Sequence, residues 1–74
     1  MNTRQYYYIS TIANYGNLSH AAQALHISPS ALSKFLTECE RIFGLTLFLR
    51  YNRRLYPTAA GHYVIDCAQK ILDE

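Results

Sequence analysis

The segment Leu18–Glu40, LSHAAQALHISPSALSKFLTECE, constrains the rest of the chain more than any other. Its corner is Leu25-His26-Ile27-Ser28-Pro29. Ser28 suits an N-cap, because its hydroxyl can accept from an unpaired amide of the first turn. Pro29 then falls at the first helical position, where the missing N–H costs nothing and the fixed φ already fits a helix. Beyond it Leu32, Phe35, Leu36, Cys39 and Phe43 recur at three- and four-residue steps, which predicts one buried stripe. The opposite face holds Ser30, Ser33, Lys34, Thr37 and Arg41, all cations or hydroxyls. Two helices joined by a tight corner, the second with a polar and basic face, form a helix-turn-helix in sequence.

The flanking residues extend this unit. Residues 3–15 predict a first helix with Tyr6, Ile9, Ile12 and Ala13 on its apolar side, stopped by Gly16. Asn17 caps the helix 18–25, whose Leu18, Ala21, Ala22 and Leu25 face inward; its small alanines let helices approach closely. The helix from Pro29 ends at Phe43, before Gly44. Residues 45–57 then change character. Leu47-Phe48-Leu49 and Leu55-Tyr56 predict two short strands around the polar turn Arg50-Tyr51-Asn52-Arg53-Arg54. Pro57 ends the second strand, which is therefore an edge. A helix-turn-helix followed by a basic hairpin is a winged helix. Thr58 caps a last helix from Ala59 to about Asp73, with Gly61 as a slight weakness in its first turn. Its stripe, Val64, Ile65, Ala68, Ile71 and Leu72, finds little core left to cover and is expected to face a second copy of the chain.

Composition narrows the function. The 74 residues make one small domain, mainly α, able to bury roughly 60% of its unfolded surface. Net charge is only +2, but it is unevenly spread. Residues 1–58 carry six cations against Glu38 and Glu40, a net +4, whereas residues 59–74 carry Lys70 against Asp66, Asp73 and Glu74, a net −2. The basic charge belongs to the helix-turn-helix and the hairpin, the footprint expected of nucleic-acid binding. Cys39 and Cys67 are far apart and read as two buried free thiols in a reducing compartment. No apolar run spans a bilayer and no signal-peptide pattern opens the chain, so a cytoplasmic location is expected. No metal-ligand spacing joins His20, His26 and His62, and no cofactor is expected. An enzyme is disfavoured, because no phosphate loop or nucleophile constellation appears. A winged helix used only for protein contact would call for an acidic or apolar face on helix 29–43, which carries hydroxyls and Lys34 instead.

The residues also resemble a known family over the whole chain. The matching blocks are Leu18 with Ala21-Ala22 and Leu25, Ile27-Ser28, Ala31-Leu32-Ser33-Lys34, Glu40, Gly44-Leu45 with Leu47-Phe48 and Arg50, Arg53-Arg54, and Thr58 with Ala60-Gly61. Together they resemble the N-terminal DNA-binding domain of LysR-type transcriptional regulators. The resemblance implies a three-helix core with a two-stranded wing over residues 1–58, and a linker helix over 59–74 that pairs two chains. It implies duplex DNA as partner, with helix 29–43 in the major groove. The DNA-contacting positions map onto Ser28, Pro29, Ser30, Ser33 and Lys34, and on the wing onto Arg50, Arg53 and Arg54. Ser30 has a second reading, as a capping residue. His20, Thr37, Arg41 and Tyr51 are further candidates, each with a plain structural alternative. The homodimer seam maps onto Val64, Ala68, Ile71 and Leu72. Such regulators continue into an effector-sensing domain, so this chain is expected to be an excised domain whose small-molecule inducer site lies outside it. Pro29-Ser30 stands where many members have Gln-Pro or Gln-Ser, so a base-reading Gln is absent. Cys39 replaces a usual Leu, and Leu49 a usual acid.

Overall fold

The computed structural model describes residues 1–73 and contains four helices and one hairpin. In order these are α1 (Thr3–Tyr15), α2 (Leu18–Leu25), α3 (Pro29–Phe43), β1 (Phe48–Tyr51), β2 (Arg54–Pro57) and α4 (Ala59–Leu72). The expected linker segment ends at Glu74, which lies outside the described residues.

Each helix boundary has a local cause. Asn2 caps α1 through a capping box: its Oδ1 accepts from Gln5 N–H at 2.9 Å, and Gln5 Oε1 accepts from Asn2 N–H at 2.8 Å. Asn17, Ser28 and Thr58 cap α2, α3 and α4 by accepting from the amides of His20, Ala31 and Gly61. Gly16 and Gly44 stop α1 and α3 in the left-handed conformation, at φ 62° and 66°. His26 stops α2 in the same way at φ 60°, so its structural role lies in the backbone of the corner.

The core gathers one or two side chains from every element: Ile9, Ile12, Ala21, Ala22, Leu32, Leu36, Leu47, Phe48, Leu55 and Ile65. Tyr8 and Phe35 join its edge as an edge-to-face pair, 5.1 Å between ring centres. The α3 stripe holds as far as Cys39, but Phe43 is exposed, because by its last turn α3 has run past the core. The wing is also tighter than the five-residue turn expected. Phe48 pairs with Pro57 and Tyr51 with Arg54, so only Asn52 and Arg53 lie between the strands. Leu47 is fully buried but precedes β1, and Leu49 points outward.

Three expectations for α4 are corrected: its stripe, Cys67 and Gly61. It packs along α1, which is buried on successive residues Ile9, Ser10, Thr11 and Ile12 because neighbours flank it on two sides. The buried Thr11 hydroxyl donates to Tyr7 carbonyl at 2.8 Å and so loses no hydrogen bond. Ile65 and Ala68 of α4 fill this contact, and Ala68 is fully buried within its own chain. Ala68 therefore has no surface to offer a second copy. Cys39 is buried as expected, whereas Cys67 is only half-buried; both are free thiols. Burial is the main cause that pushes the Cys39 thiol pKa up, followed by the carboxylates of Glu38 and Glu40.

Gly61 is not a weakness. It is buried, and a Cβ there would overlap the carbonyl oxygen of Leu47. Only a residue without a side chain lets the start of α4 sit against the loop entering β1. Gly61→Ala is expected to cost about 1–3 kcal/mol by forcing these segments apart. In a domain of this size that lowers the thermal midpoint by about 4 °C or more, measured by circular dichroism; an unchanged midpoint would refute the close approach.

Candidate nucleic-acid interface

Three elements meet along one side of the molecule. Leu55 N–H donates to Gly16 carbonyl at 2.9 Å, which ties β2 to the turn between α1 and α2. That bond sets the wing beside the first turn of α2. The corner His26-Ile27-Ser28 sets the first turn of α3 alongside, with Ile27 N–H donating to Ala22 carbonyl at 3.0 Å. An open cleft of about 520 Å³ lies between the three, lined by Asn17, Ser19 and His20, by Pro29, Ser30 and Ser33, and by Arg50, Arg53 and Arg54 among others.

Six of the eight expected DNA-contacting residues thus share one cleft. The other two lie beside it. Ser28 spends its hydroxyl oxygen on the cap, accepting from Ala31 N–H at 3.1 Å, and pairs with Ser30 Oγ at 3.3 Å. Lys34 is exposed on the neighbouring groove of α3, with Ser33, Thr37 and Glu38. Asn17 and Ser19 were not among the sequence candidates, although His20 was. Their signal was the capped helix start itself: the first turn of α2 presents amides and a positive dipole end to the cleft.

Charge sorts the basic residues. Arg41 is taken by Glu38 in a two-pronged contact, Nε to Oε2 at 3.0 Å and Nη2 to Oε1 at 2.6 Å. Its hydrogen bond holds the Glu38 carboxyl below the usual carboxylate range and raises the Arg41 pKa in turn. The polar side of α3 therefore does carry a carboxylate at its border, and Arg41 is a neutralised candidate. Among the described residues this is the one ion pair, so Lys34, Arg50, Arg53 and Arg54 have no carboxylate partner. No group of three or more metal-ligating side chains occurs among the described residues. No described helix is long and apolar enough to cross a membrane.

The wing tip is strained toward the cleft. Asn52 and Arg53 both have positive φ, 49° and 66°. A two-residue hairpin turn of this kind favours Asn-Gly, because its two central residues are left-handed. Arg53 occupies the position where Gly would sit without strain. A strained residue that keeps a charged side chain at a loop tip points to a use for that side chain.

The family model of bacterial regulatory helix-turn-helix proteins, lysR family, matches residues 3–62. The chain belongs to the LysR family. The crystal structure of the CbnR DBD–DNA complex is similar at 34% identity, covering 99% of this chain and 84% of that one, with a TM-score of 0.90. The BenM DBD in complex with catB site 1 DNA is similar at 27% identity and a TM-score of 0.90, covering 99% and 78%. Among curated LysR-family relatives, the transcriptional regulator TcbR of Pseudomonas sp. strain P51 is 34% identical over 73 residues, covering 99% of this chain and 25% of its own. The chain thus spans about a quarter of the length of such relatives. The family match runs from α1 through the first turn of α4, so the whole cleft lies inside it.

Arg53→Gly relieves the left-handed strain and is expected to stabilise the fold by up to about 1 kcal/mol. Urea unfolding measures it; a lower midpoint than the wild type would show that the arginine is at ease in this turn.

Proposed function

We propose that this chain reads duplex DNA sequence-specifically for transcriptional regulation, with α3 in the major groove and the wing on the backbone or in the adjacent minor groove. The cleft carries this reading: it joins a helix N-terminus, the polar start of α3 and three arginines without carboxylate partners on one surface. The DNA complexes of CbnR and BenM, both similar to this chain throughout its length, support it.

The parts divide the work. The first turn of α2 and the wing tip hold phosphates, which fix register without reading sequence. Ser30, Ser33 and Lys34 face base edges, where lysine donates to guanine O6 and N7. Pro29 starts the helix at the groove and offers only apolar contact. The role is binding rather than catalysis, and its place is the cytoplasm, where bacterial DNA lies.

Titration of labelled duplexes at several salt concentrations tests the division. Arg53→Ala and Arg53→Gly are expected to weaken binding to all duplexes alike and to reduce the salt slope by about one. Lys34→Ala is expected to change the ranking of sequences. Unchanged affinity and slope in both Arg53 variants would remove the wing from the interface.

The active form is a homodimer joined through α4. Ala68 is buried and Val64 packs against the core, so we place the seam on the exposed Tyr63 and Ile71 with the half-buried Cys67 between them, one turn apart, and Leu72 at its edge. Two copies related by a twofold axis would read two half-sites. Ile71→Asp is expected to shift sedimentation from dimer to monomer at micromolar concentration; a wild-type chain that stays monomeric with and without DNA would sink the dimer.

A further inference from the structure

The wing arginines are not equivalent. Side chains alternate faces along a strand, and β1 starts with Phe48 buried in the core. Arg50, two residues on, therefore shares the inner face, and it is paired across the hairpin with the buried Leu55. Its guanidinium is directed onto α3 rather than out to the tip. Nη1 donates to Ser33 Oγ at 2.9 Å, and Nη2 donates to Thr37 Oγ1 at 3.4 Å. Ser33 and Thr37 are one helical turn apart on the same face, and the planar fork spans both.

A guanidinium can only donate, whereas a hydroxyl has one hydrogen and two lone pairs. Arg50 therefore takes a lone pair from each oxygen and turns each hydroxyl hydrogen away from itself. The Ser33 hydroxyl makes no hydrogen bond to a backbone carbonyl of its helix, unlike that of Thr11. Its hydrogen is left to point at whatever enters the cleft. The positive charge 2.9 Å away also repels a second donor.

We infer that Arg50 is a positioning residue that sets the hydroxyl polarity of Ser33, so that Arg50 and Ser33 together turn donors to the major groove while the guanidinium charge opposes use of the second Ser33 lone pair. This rests on the DNA-reading role proposed above. A unit that leads with donors favours an edge made of acceptors, and guanine presents two, N7 and O6. Cytosine presents an amino donor there. The pair thus reads which strand of a G·C base pair carries the guanine. A serine free to rotate would accept from cytosine as readily as it donates to guanine.

Selection of bound duplexes from a random pool tests this, using the 74-residue chain as wild type, Ser33→Ala, Arg50→Met, Arg50→Lys and the Ser33→Ala/Arg50→Met double variant. The wild type is expected to favour guanine over cytosine on one strand by about fivefold or more at one position per half-site, the low end for a direct base contact. Ser33→Ala and Arg50→Met both bring that position to near parity and leave the others. The double variant loses no more than either single. Arg50→Lys keeps the charge but not the fork, and loses the preference too; it decides the matter should melting show that Arg50→Met does not fold. The inference is overturned if Arg50→Met or Arg50→Lys keeps the Ser33-dependent preference while binding weakens on all duplexes alike, the mark of a phosphate contact. It is also overturned if the position lost in Ser33→Ala selects cytosine. A wild-type chain that enriches no sequence at all refutes the DNA-reading role itself and this inference with it.

Discussion

The peptide units flanking Leu47 hold the three parts of the molecule together. Leu47 N–H donates to Glu40 Oε2 at 2.7 Å, and Phe48 N–H reaches the same oxygen at 3.3 Å, so α3 holds the entry to the wing. The Leu47 carbonyl accepts from Thr58 N–H at 3.0 Å, and Thr58 Oγ1 donates to Thr46 carbonyl at 2.6 Å, so the exit from the wing closes on its entry. Gly61 then rests against that carbonyl and admits α4. The Leu47 side chain is fully buried, a contribution of about 1.5–3 kcal/mol by itself. Removing the Glu40 carboxylate would leave two amides of the core loop without a partner, at about 1–3 kcal/mol.

This junction explains how a domain with a small core presents a defined surface. The wing has only two strands, and such a hairpin is marginal alone. Here it is held at both ends, by Glu40 and Thr58 at its base and by the Gly16 carbonyl at Leu55. That support lets Arg53 stay in a left-handed turn at its tip. It also gives the inner face a fixed reach, so Arg50 lies on the polar side of α3 while Leu49, Tyr51 and Tyr56 are exposed on the outer face.

Much of this was legible in the chain because the causes are local. Gly16, Asn17, Ser28-Pro29, Gly44 and Thr58 act on backbone within four residues of themselves, and every helix boundary they predicted is observed to within one residue. The buried positions Ile9, Ala21, Ala22, Leu32 and Leu36 followed from helical spacing. The candidate site came as a list from the family resemblance, and the structure gathers Pro29, Ser30, Ser33, Arg53 and Arg54 of that list along one cleft. The capping box at Asn2 is equally local, set by the spacing of Asn2 and Gln5.

The residues misread are those whose neighbours are far along the chain. Phe43 continues the spacing of α3 but outruns the core; Gly61 looks like a weak helix residue until Leu47 lies against it; Ala68 looks like seam until α1 covers it. Arg50 and Arg53 read alike as wing charges, yet strand alternation and a two-residue turn send one to Ser33 and the other to the tip. The sequence by itself determined where each helix starts and stops, because capping and φ preferences are properties of a few adjacent residues. Only the tertiary structure decided which faces are spent on the core and which side chains meet in the cleft, because burial and hydrogen-bond partnership depend on segments that meet only when the chain has closed.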